Sequence, residues 1–387
     1  MTAAMKPMIG PRGLATTFII LLVAGSIFRL VRVSLSGGNI WITGDWLIRY
    51  ADGFVRRGLL GEIAWTVSSL PGLSLLWAVT ALQIFSFISF ATFSILLFLQ
   101  TTPRASSLLM FVSPAFLAFH FWDLQGGFRK EIFALAVFAF LLWISTQNLN
   151  GSMRKTMFLA GWSLAPALFA FVHEALVFFA PLMLIALWLV RSRVGVSAKS
   201  LWVTTIVGAL LSVVPIVLSL LHPGDERESN LICISAVSRG FDPSICSGAI
   251  SALGWTGQEA YGHVAENATP IYALLAGIAL LPFLAERRRR GLVVSIGVAS
   301  LALVPIFVLG ADWGRWIHIF VALLTLTVFA VNRRPAGKEV AELAPRFTAL
   351  LLVVFALGWH LPHFAASYWG PRVIDIGRTV LGTFGFF

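Results

Sequence analysis

The chain has 387 residues, of which 58% are apolar and only 12% are charged. A soluble domain carries about 25% charged residues, so this composition excludes a water-soluble enzyme, a disordered chain and a nucleic-acid-binding protein with a polar scaffold. The net charge is nevertheless +11, which indicates either an anionic partner or a membrane topology signal, depending on where the basic residues lie.

Apolar runs of about 17–25 residues predict membrane-spanning helices. The sequence contains eleven such runs, which predict an all-α integral membrane protein with a single polytopic domain over residues 1–387. The predicted spans are 14–33, 73–99, 106–122, 131–146, 157–172, 175–190, 200–221, 270–285, 291–309, 316–331 and 347–361.

The stretch 157–190 is too long for a single span. As one helix it would measure about 51 Å at 1.5 Å per residue, whereas the bilayer core is about 30 Å thick. We therefore predict two short helices that meet at His173 and Glu174. One long kinked helix is the alternative.

The basic residues predict the orientation of the spans. With the N-terminus inside, the inner segments hold 16 basic and three acidic residues, which leaves 12 basic and 14 acidic residues for the outer side. The inner side therefore carries +13 and the outer side −2, and the arginines at 287–290 are its strongest anchor. The net charge is thus a topology signal, and an odd number of spans places the C-terminus outside.

Two long loops, 34–72 and 222–269, lie on the predicted outer side. In the first, residues 59–70 can form an amphipathic interfacial helix that ends before a Pro-Gly pair, with Arg56 and Arg57 at its N-terminus. Two guanidiniums beside free backbone N–H groups suit a phosphate. The alternative is a basic pair that snorkels at the membrane edge, although positive residues here run against the orientation rule.

A short outer turn forms the second motif. Gly126 and Gly127 suit a tight turn. Arg129 and Lys130 begin the next helix, the end at which the helix dipole disfavours cations. A bound anion would offset that cost, and a salt bridge between Asp123 and Arg129 is the alternative.

His173 and Glu174 form the third motif, because ionisable groups at membrane depth indicate function by default. His173 suits an acid–base or phosphate contact, with Glu174 as its partner or as a base. The alternative is a helix cap. His120 and His318 lie near the outer ends of apolar helices, where they would line the same cavity, but packing histidines are the favoured interpretation.

Asp312, Trp313 and Arg315 form the fourth motif. Asp312 and Arg315 are three residues apart, so they can pair on one helix face. Trp313 suits the interfacial aromatic belt and would equally suit stacking on a sugar ring. A purely structural salt bridge is the alternative.

The only cysteines, Cys233 and Cys246, both lie in loop 222–269. The predicted compartment is oxidising, so the spacing favours a disulfide that clips the loop. Two free thiols are the alternative. The loop is rich in carboxylates and would form a cap over an outer cavity.

Together these motifs predict an outer, membrane-embedded cavity with arginines, carboxylates and aromatic residues. Arginines bind phosphate bidentately, aromatic rings stack on sugars or greasy chains, and a carboxylate or histidine can deprotonate a sugar hydroxyl. Glycosyl transfer from a polyprenyl-(pyro)phosphate-linked sugar meets these conditions, since its leaving group is an anion that arginines stabilise.

The stretch from Tyr50 to Gly61 resembles a motif of polytopic proteins associated with bacterial surface polysaccharide synthesis. The segments 127–131, 173–174 and 312–316 resemble their other motifs, in the same order. The plan is similar to Wzy- and EpsG-type polysaccharide polymerases and to the wider GT-C class of lipid-donor glycosyltransferases. The resemblance covers most of the chain in layout, but closely only about forty residues.

The resemblance implies an enzyme in the bacterial inner membrane whose active site faces the periplasm, with polyprenyl-linked saccharide as substrate and polysaccharide-assembly proteins as partners. In the GT-C class an acidic residue in the first outer loop commonly serves as catalytic base or metal contact, and Asp45 and Asp52 match that place. The polymerases are treated as metal-free whereas many GT-C enzymes use a divalent metal, so no cofactor is assigned and both alternatives stay open.

We expect the site residues to fall into three groups. Those that activate the acceptor hydroxyl are Asp45, Asp52, His173 and Glu174; those that hold the lipid phosphates are Arg56, Arg57, Arg129, Lys130 and Arg315; the supporting residues are Asp123, Glu131, Asp312 and Trp313. A flippase or transporter of a lipid-linked or anionic substrate would use the same arginines without making a bond. A subunit without chemistry is the third alternative.

Overall fold

The computed structural model describes residues 10–51, 53–102, 104–147, 151–255, 257–267, 270–284, 296–297, 299–333 and 345–364. Within these ranges the regular structure is helical and no strand is present, which confirms the all-α class. Asp52, expected in the site, and the arginines at 287–290, expected to anchor the inner side, lie outside the described residues.

The helices follow the apolar pattern of the sequence. They are α1 (Pro11–Leu35), α2 (Ile42–Leu47), α3 (Gly58–Val67), α4 (Leu75–Gln100), α5 (Ala105–Val112), α6 (Phe119–Trp122), α7 (Leu124–Gly127), α8 (Glu131–Thr146), α9 (Ser152–Val172), α10 (Ala180–Val194), α11 (Ala198–Leu221), α12 (Glu226–Ser238), α13 (Gly257–Asn267), α14 (Ile271–Leu284), α15 (Val304–Leu309), α16 (Trp313–Val331) and α17 (Pro345–Leu357). Short 3₁₀ helices cover Glu174–Phe179, Pro243–Ser247, Ser251–Gly254 and Leu301–Leu303.

Long apolar helices make this a membrane protein. Among the described residues, six helical segments are long and apolar enough to cross a bilayer: Pro11–Leu35, Leu75–Gln100, Lys155–Val172, Glu174–Val194, Ala198–Leu221 and Trp313–Val331. Large apolar side chains on α1 and α11, among them Leu21, Phe28, Leu210 and Leu220, are more than half exposed, as lipid-facing residues are. The count of eleven spans and their orientation stay predictions.

The predicted span 106–122 is wrong as a continuous helix. α5 ends at Val112 and Ser113 takes an extended conformation with ψ 131°. The physical reason is Pro114, because proline disfavours the helical conformation of the preceding residue and lacks an N–H of its own. The chain then continues in the short helices α6 and α7.

The stretch 157–190 is broken at the predicted place. α9 ends at Val172 and His173 is extended, with φ −161° and ψ 118°. A 3₁₀ helix then leads from Glu174 into α10. Two helices therefore meet at His173, and the alternative of one long kinked helix is wrong.

Two long helices that are mostly buried, α8 and α16, form the centre of the bundle. Buried residues occur on every side of α16, and 94% of its apolar window is buried. α8 buries most of its length as well. α9 and α11 pack closely against each other, since Gly208 lets the backbone of Ser163 approach, as small residues do between membrane helices.

The two predicted outer loops pack against each other. The backbone N–H of Ala249 donates to the carbonyl of Ile40 at 3.0 Å, and that of Arg56 donates to the carbonyl of His222 at 3.3 Å. A disulfide joins Cys233 and Cys246, whose Cα atoms are 5.5 Å apart. In the first loop the helix predicted over residues 59–70 is present as α3 and ends at Val67, about one turn earlier than residue 70.

Candidate functional site

Charged side chains from four separate segments meet at one end of the bundle. The segments are the α2–α3 region, the start of α8, the junction after α9 and the start of α16. They contribute five cations, four carboxylates and one histidine. We call this set the ionic cluster: Asp45, Arg56, Arg57, Arg129, Lys130, Glu131, His173, Glu174, Asp312 and Arg315.

Asp45 joins α2 to the start of α8. Its Oδ2 accepts a hydrogen bond from the backbone N–H of Lys130 at 3.1 Å and lies 3.4 Å from Nε of Arg129. Burial alone would raise the pKa of Asp45, but the positive charges of Arg129 and Lys130 outweigh it and hold the pKa below its ordinary value. Asp45 is therefore a fixed carboxylate at the base of the cluster.

Lys130 faces the protein rather than a ligand. Its side chain is fully buried, and its ammonium group donates to the carbonyls of Ile48, at 3.3 Å, and of Arg57. Burial lowers the pKa of Lys130 to about 8, although the nearby charge of Asp45 opposes this. The expectation that Lys130 binds phosphate is corrected, because its donors hold the loop before α3.

Arg56 and Arg57 lie at the N-terminus of α3 as predicted, but a carboxylate already occupies them. Nε of Arg57 is 3.0 Å from both oxygens of Glu174, and its Nη2 is 2.5 Å from Oε1. Nη1 of Arg56 is 3.4 Å from the same oxygen. The predicted anion site exists in geometry, and Glu174 fills it.

The backbone of Arg57 is strained. Its φ of 63° places it in the left-handed region, which costs a non-glycine residue about 1–3 kcal/mol. Such strain persists only where the surroundings impose it. The Arg57 carbonyl accepts a hydrogen bond from the ammonium group of Lys130, and the guanidiniums of Arg56 and Arg57 both contact Glu174 at the junction after α9.

Glu131, the first residue of α8, lies between two other segments. Its Oε1 is 3.4 Å from Nε2 of His173 and 3.5 Å from Nη1 of Arg315. The other ring nitrogen of His173, Nδ1, accepts a hydrogen bond from the backbone N–H of Ala175 at 3.2 Å. His173 therefore caps the helix that follows and also faces the cluster.

The start of α16 supplies Arg315. Its Nη2 is 2.8 Å from Oδ2 of Asp312, so the pair three residues apart forms. A Cβ on Gly314 would lie 1.8 Å from the carbonyl oxygen of Pro362, which shows that the chain after α17 crosses this turn in contact. Trp313 packs beside Tyr272 and Phe307, with ring centroids 6.0 and 5.7 Å away.

Asp123 pairs with His363 and Arg129 with Asp45, so the alternative of a turn salt bridge between Asp123 and Arg129 is wrong. Its Oδ2 accepts hydrogen bonds from the backbone N–H and from Nδ1 of His363, both at 2.7 Å, and its Oδ1 accepts one from the N–H of Gly126. Asp123 therefore caps α7 and binds the segment after α17. Because His363 is 240 residues away, no local pattern could have revealed it.

Two further positioning residues were missed by the sequence reasoning. Nε1 of Trp46 donates to the carbonyl of Phe128 at 3.0 Å. Nε2 of Gln83 lies 2.9 Å from the carbonyl of Ile42 and 3.2 Å from that of Phe128. A lone amide in the apolar span 73–99 was the available signal for Gln83.

The ionic cluster has two layers that differ in burial. We define the inner layer as Asp45, Arg129, Lys130, Glu131, His173 and Arg315, whose side chains are 7% exposed or less. We define the outer layer as Arg56, Arg57, Glu174 and Asp312, whose side chains are 21–26% exposed. Of the five cations expected to bind phosphate, only the two in the outer layer have partly exposed side chains.

A small cavity of about 10 Å³ lies behind the inner layer. It is lined by Arg129, Glu131 and Arg315 and by His120 and His318. Both histidines are buried and stack on phenylalanine rings, as packing histidines do. A space of this size holds about one water molecule. In the parts of the chain that the structure describes, no three His, Cys, Asp or Glu side chains are arranged to hold a metal ion.

Comparison with known proteins returns no relative. No family model, no curated protein and no solved structure matches the chain.

Proposed function

We propose that the protein is a membrane glycosyltransferase that polymerises or transfers saccharide from a polyprenyl-(pyro)phosphate donor on the extracytoplasmic face of a bacterial inner membrane. One observation carries the proposal: Arg57 grips the Glu174 carboxylate with two nitrogens, and Arg56 touches the same oxygen. A phosphate presents oxygens of the same kind, and an arginine fork binds either group. Both arginines are partly exposed.

The location of the ionic cluster supports a lipid-linked substrate. Charged side chains in a membrane protein are costly and mark functional sites, and here ten residues of this kind gather at one end of apolar helices. A donor that is half lipid and half phosphosugar needs such a site, where the charged head meets cations while the chain stays in the bilayer. Arginines that face the departing phosphate would stabilise the negative charge that develops on it.

An apolar groove beside α16 supports the same substrate class. It has a volume of about 430 Å³ and follows α16 from Ile317 to Val328, about 16 Å along the helix at 1.5 Å per residue. Its upper end lies two residues from Arg315, and Phe307 on its wall packs on Trp313. A hydrocarbon chain in this groove would place its phosphate head at the ionic cluster.

The test uses purified protein in liposomes with a synthetic polyprenyl-pyrophosphate oligosaccharide. The double variant Arg56→Ala/Arg57→Ala should insert into the membrane normally. It should not extend the oligosaccharide, because both partly exposed cations are gone. The matched control is Arg227→Ala, which removes an exposed arginine of α12 in the other outer loop and should leave the product length unchanged.

Two outcomes would overturn the proposal. A normal product length distribution in the double variant would show that these arginines do not hold the donor. Movement of labelled donor across the bilayer without a new glycosidic bond would make the protein a transporter. A one-ended cluster of charges favours transfer, since a transporter needs polar contacts along the whole path.

A further inference from the structure

We infer that Glu131 is the proton acceptor of the site and that His173 orients it. This inference rests on the proposed glycosyl transfer. Sequence reasoning placed Glu131 among the supporting residues and treated His173 as an acid–base group, so the structure assigns the two roles differently.

The four carboxylates of the ionic cluster differ in their hydrogen-bond partners. Glu174 is held by Arg57 through both oxygens, Asp312 contacts Arg315 at 2.8 Å, and Asp45 accepts the backbone N–H of Lys130. Glu131 is different, because both of its oxygens are buried and neither has a hydrogen bond within the described part of the chain. Among these four carboxylates in the described structure, only Glu131 has both oxygens buried and without a hydrogen bond, whereas Asp45 has one such oxygen, Oδ1.

The contacts of His173 determine which of its ring nitrogens carries the proton. A neutral imidazole has one N–H and one lone-pair nitrogen, and its partners determine which is which. Nδ1 accepts the backbone N–H of Ala175, so the proton of the neutral ring must be on Nε2. Nε2 faces Oε1 of Glu131 at 3.4 Å. His173 therefore offers Glu131 a donor and has no free lone pair with which to act as the base.

Both oxygens of Glu131 are buried, but they have different surroundings. Nε2 of His173 and Nη1 of Arg315 both approach Oε1, which leaves Oε2 for a proton. The cavity of about 10 Å³ that Glu131 lines has room for one hydroxyl group. The carboxylate also lies in the first turn of α8, where the helix dipole favours a negative charge.

The acceptor sugar hydroxyl gives its proton to Oε2 of Glu131 while its oxygen forms a bond to the anomeric carbon of the donor sugar. The bond between that carbon and the pyrophosphate oxygen breaks, and the electron pair leaves with the polyprenyl pyrophosphate, which Arg56 and Arg57 hold. Glu131 then releases the proton to solvent.

The main experiment separates donor binding from turnover. Glu131→Gln keeps the shape of the side chain but cannot take a proton, so transfer should fall at least a hundredfold while the Kd for the synthetic donor changes less than threefold. Glu131→Asp keeps a carboxylate and should retain more transfer than Glu131→Gln. In Glu131→Ala, added formate should restore part of the turnover, because it supplies a carboxylate in the vacated space.

Two histidine variants test the orienting role. His173→Gln keeps a donor nitrogen at the position of Nε2 but loses the cap on Ala175, whereas His173→Asn keeps an acceptor for Ala175 and loses the donor to Glu131. If His173 orients Glu131, His173→Gln should retain more transfer than His173→Asn. Equal and complete loss in both variants would make His173 itself the base and overturn the inference.

Failure of the inference and failure of the proposed function give different results. If the wild-type protein makes no glycosidic bond from the synthetic donor, the proposed function fails. If the wild-type protein is active and Glu131→Gln is equally active, or is inactive only because it no longer binds the donor, the inference alone fails.

Discussion

The inner and outer layers of the ionic cluster both pair arginines with carboxylates, but they differ in burial. In the inner layer Asp45 and Arg129 are almost completely buried, and their contacts join chain segments that are far apart in sequence. In the outer layer Arg57 and Glu174 remain partly exposed, and their pairing leaves both within reach of a ligand. Burial therefore separates cations that assemble the site from cations that can exchange a partner.

The physical basis of this difference is the cost of an unpaired charge. Removing one member of a buried pair leaves the other charge without solvent or partner, whereas a partly exposed charge recovers its hydration. Four measurements test this difference and the contacts that hold the two layers in place.

Asp45→Ala should cost the most stability. It leaves Arg129 without its carboxylate and removes the acceptor of the Lys130 N–H, so we expect a loss of about 3–5 kcal/mol in the free energy of unfolding. Thermal unfolding in detergent measures this, with Asp45→Asn as the control that keeps an acceptor oxygen. An unchanged unfolding temperature for Asp45→Ala would show that the inner layer is not structural.

Gly314→Ala should destabilise the turn that presents Arg315. Its Cβ would lie 1.8 Å from the Pro362 carbonyl oxygen, so the segment after α17 must move, at about 1–3 kcal/mol. The control is Gly277→Ala on α14, where a Cβ meets nothing within 4 Å. Equal unfolding temperatures for the two variants would mean that the contact between Gly314 and Pro362 contributes no stability.

Lys130 should make stability depend on pH. Burial lowers the pKa of Lys130 to about 8 in the folded protein, whereas the unfolded chain has a lysine pKa of about 10.4. Between these values the unfolded state binds more protons, so stability should rise with pH, by about 1 kcal/mol for each pH unit. Unfolding temperatures of the wild type and Lys130→Met from pH 7 to pH 10 measure this, and parallel curves would contradict it.

Glu174→Gln should change stability least and binding most clearly. The pair with Arg57 is partly exposed, so its loss should cost less than about 1 kcal/mol. The same loss frees Arg57 for an anion, and inorganic pyrophosphate should bind about fivefold more tightly by calorimetry. Arg57→Lys is the control, because lysine lacks the planar fork. Unchanged pyrophosphate affinity in Glu174→Gln would show that Glu174 does not compete for this site.

The predictable part of the fold was local. Apolar run length predicted α1, α4 and α11 within a few residues, since a membrane helix needs a continuous apolar stretch. The same rule predicted the break at His173, because the stretch 157–190 is too long for one helix to fit within the bilayer core. It failed at 106–122, where hydropathy outweighed the effect of Pro114 on Ser113.

The predictable part of the site was the set of segments, not the partners within it. The motifs at Arg56, Arg129, His173 and Arg315 do meet in the described structure. The roles of individual residues did not follow, since Lys130 holds backbone carbonyls and Asp123 binds His363. These contacts depend on where distant helices end, which no local pattern encodes.

Run length and residue type are local properties, so they were enough to predict an all-α membrane protein with charged motifs at the ends of its apolar helices. The packing of the helices decides which charges are buried and brings Arg57 to Glu174. It also brings Nε2 of His173 to Glu131, while Nδ1 of the same ring accepts the backbone N–H of Ala175. The pairs Arg57–Glu174 and Glu131–His173 join residues more than 40 positions apart along the chain, and those residues meet only when the helices pack.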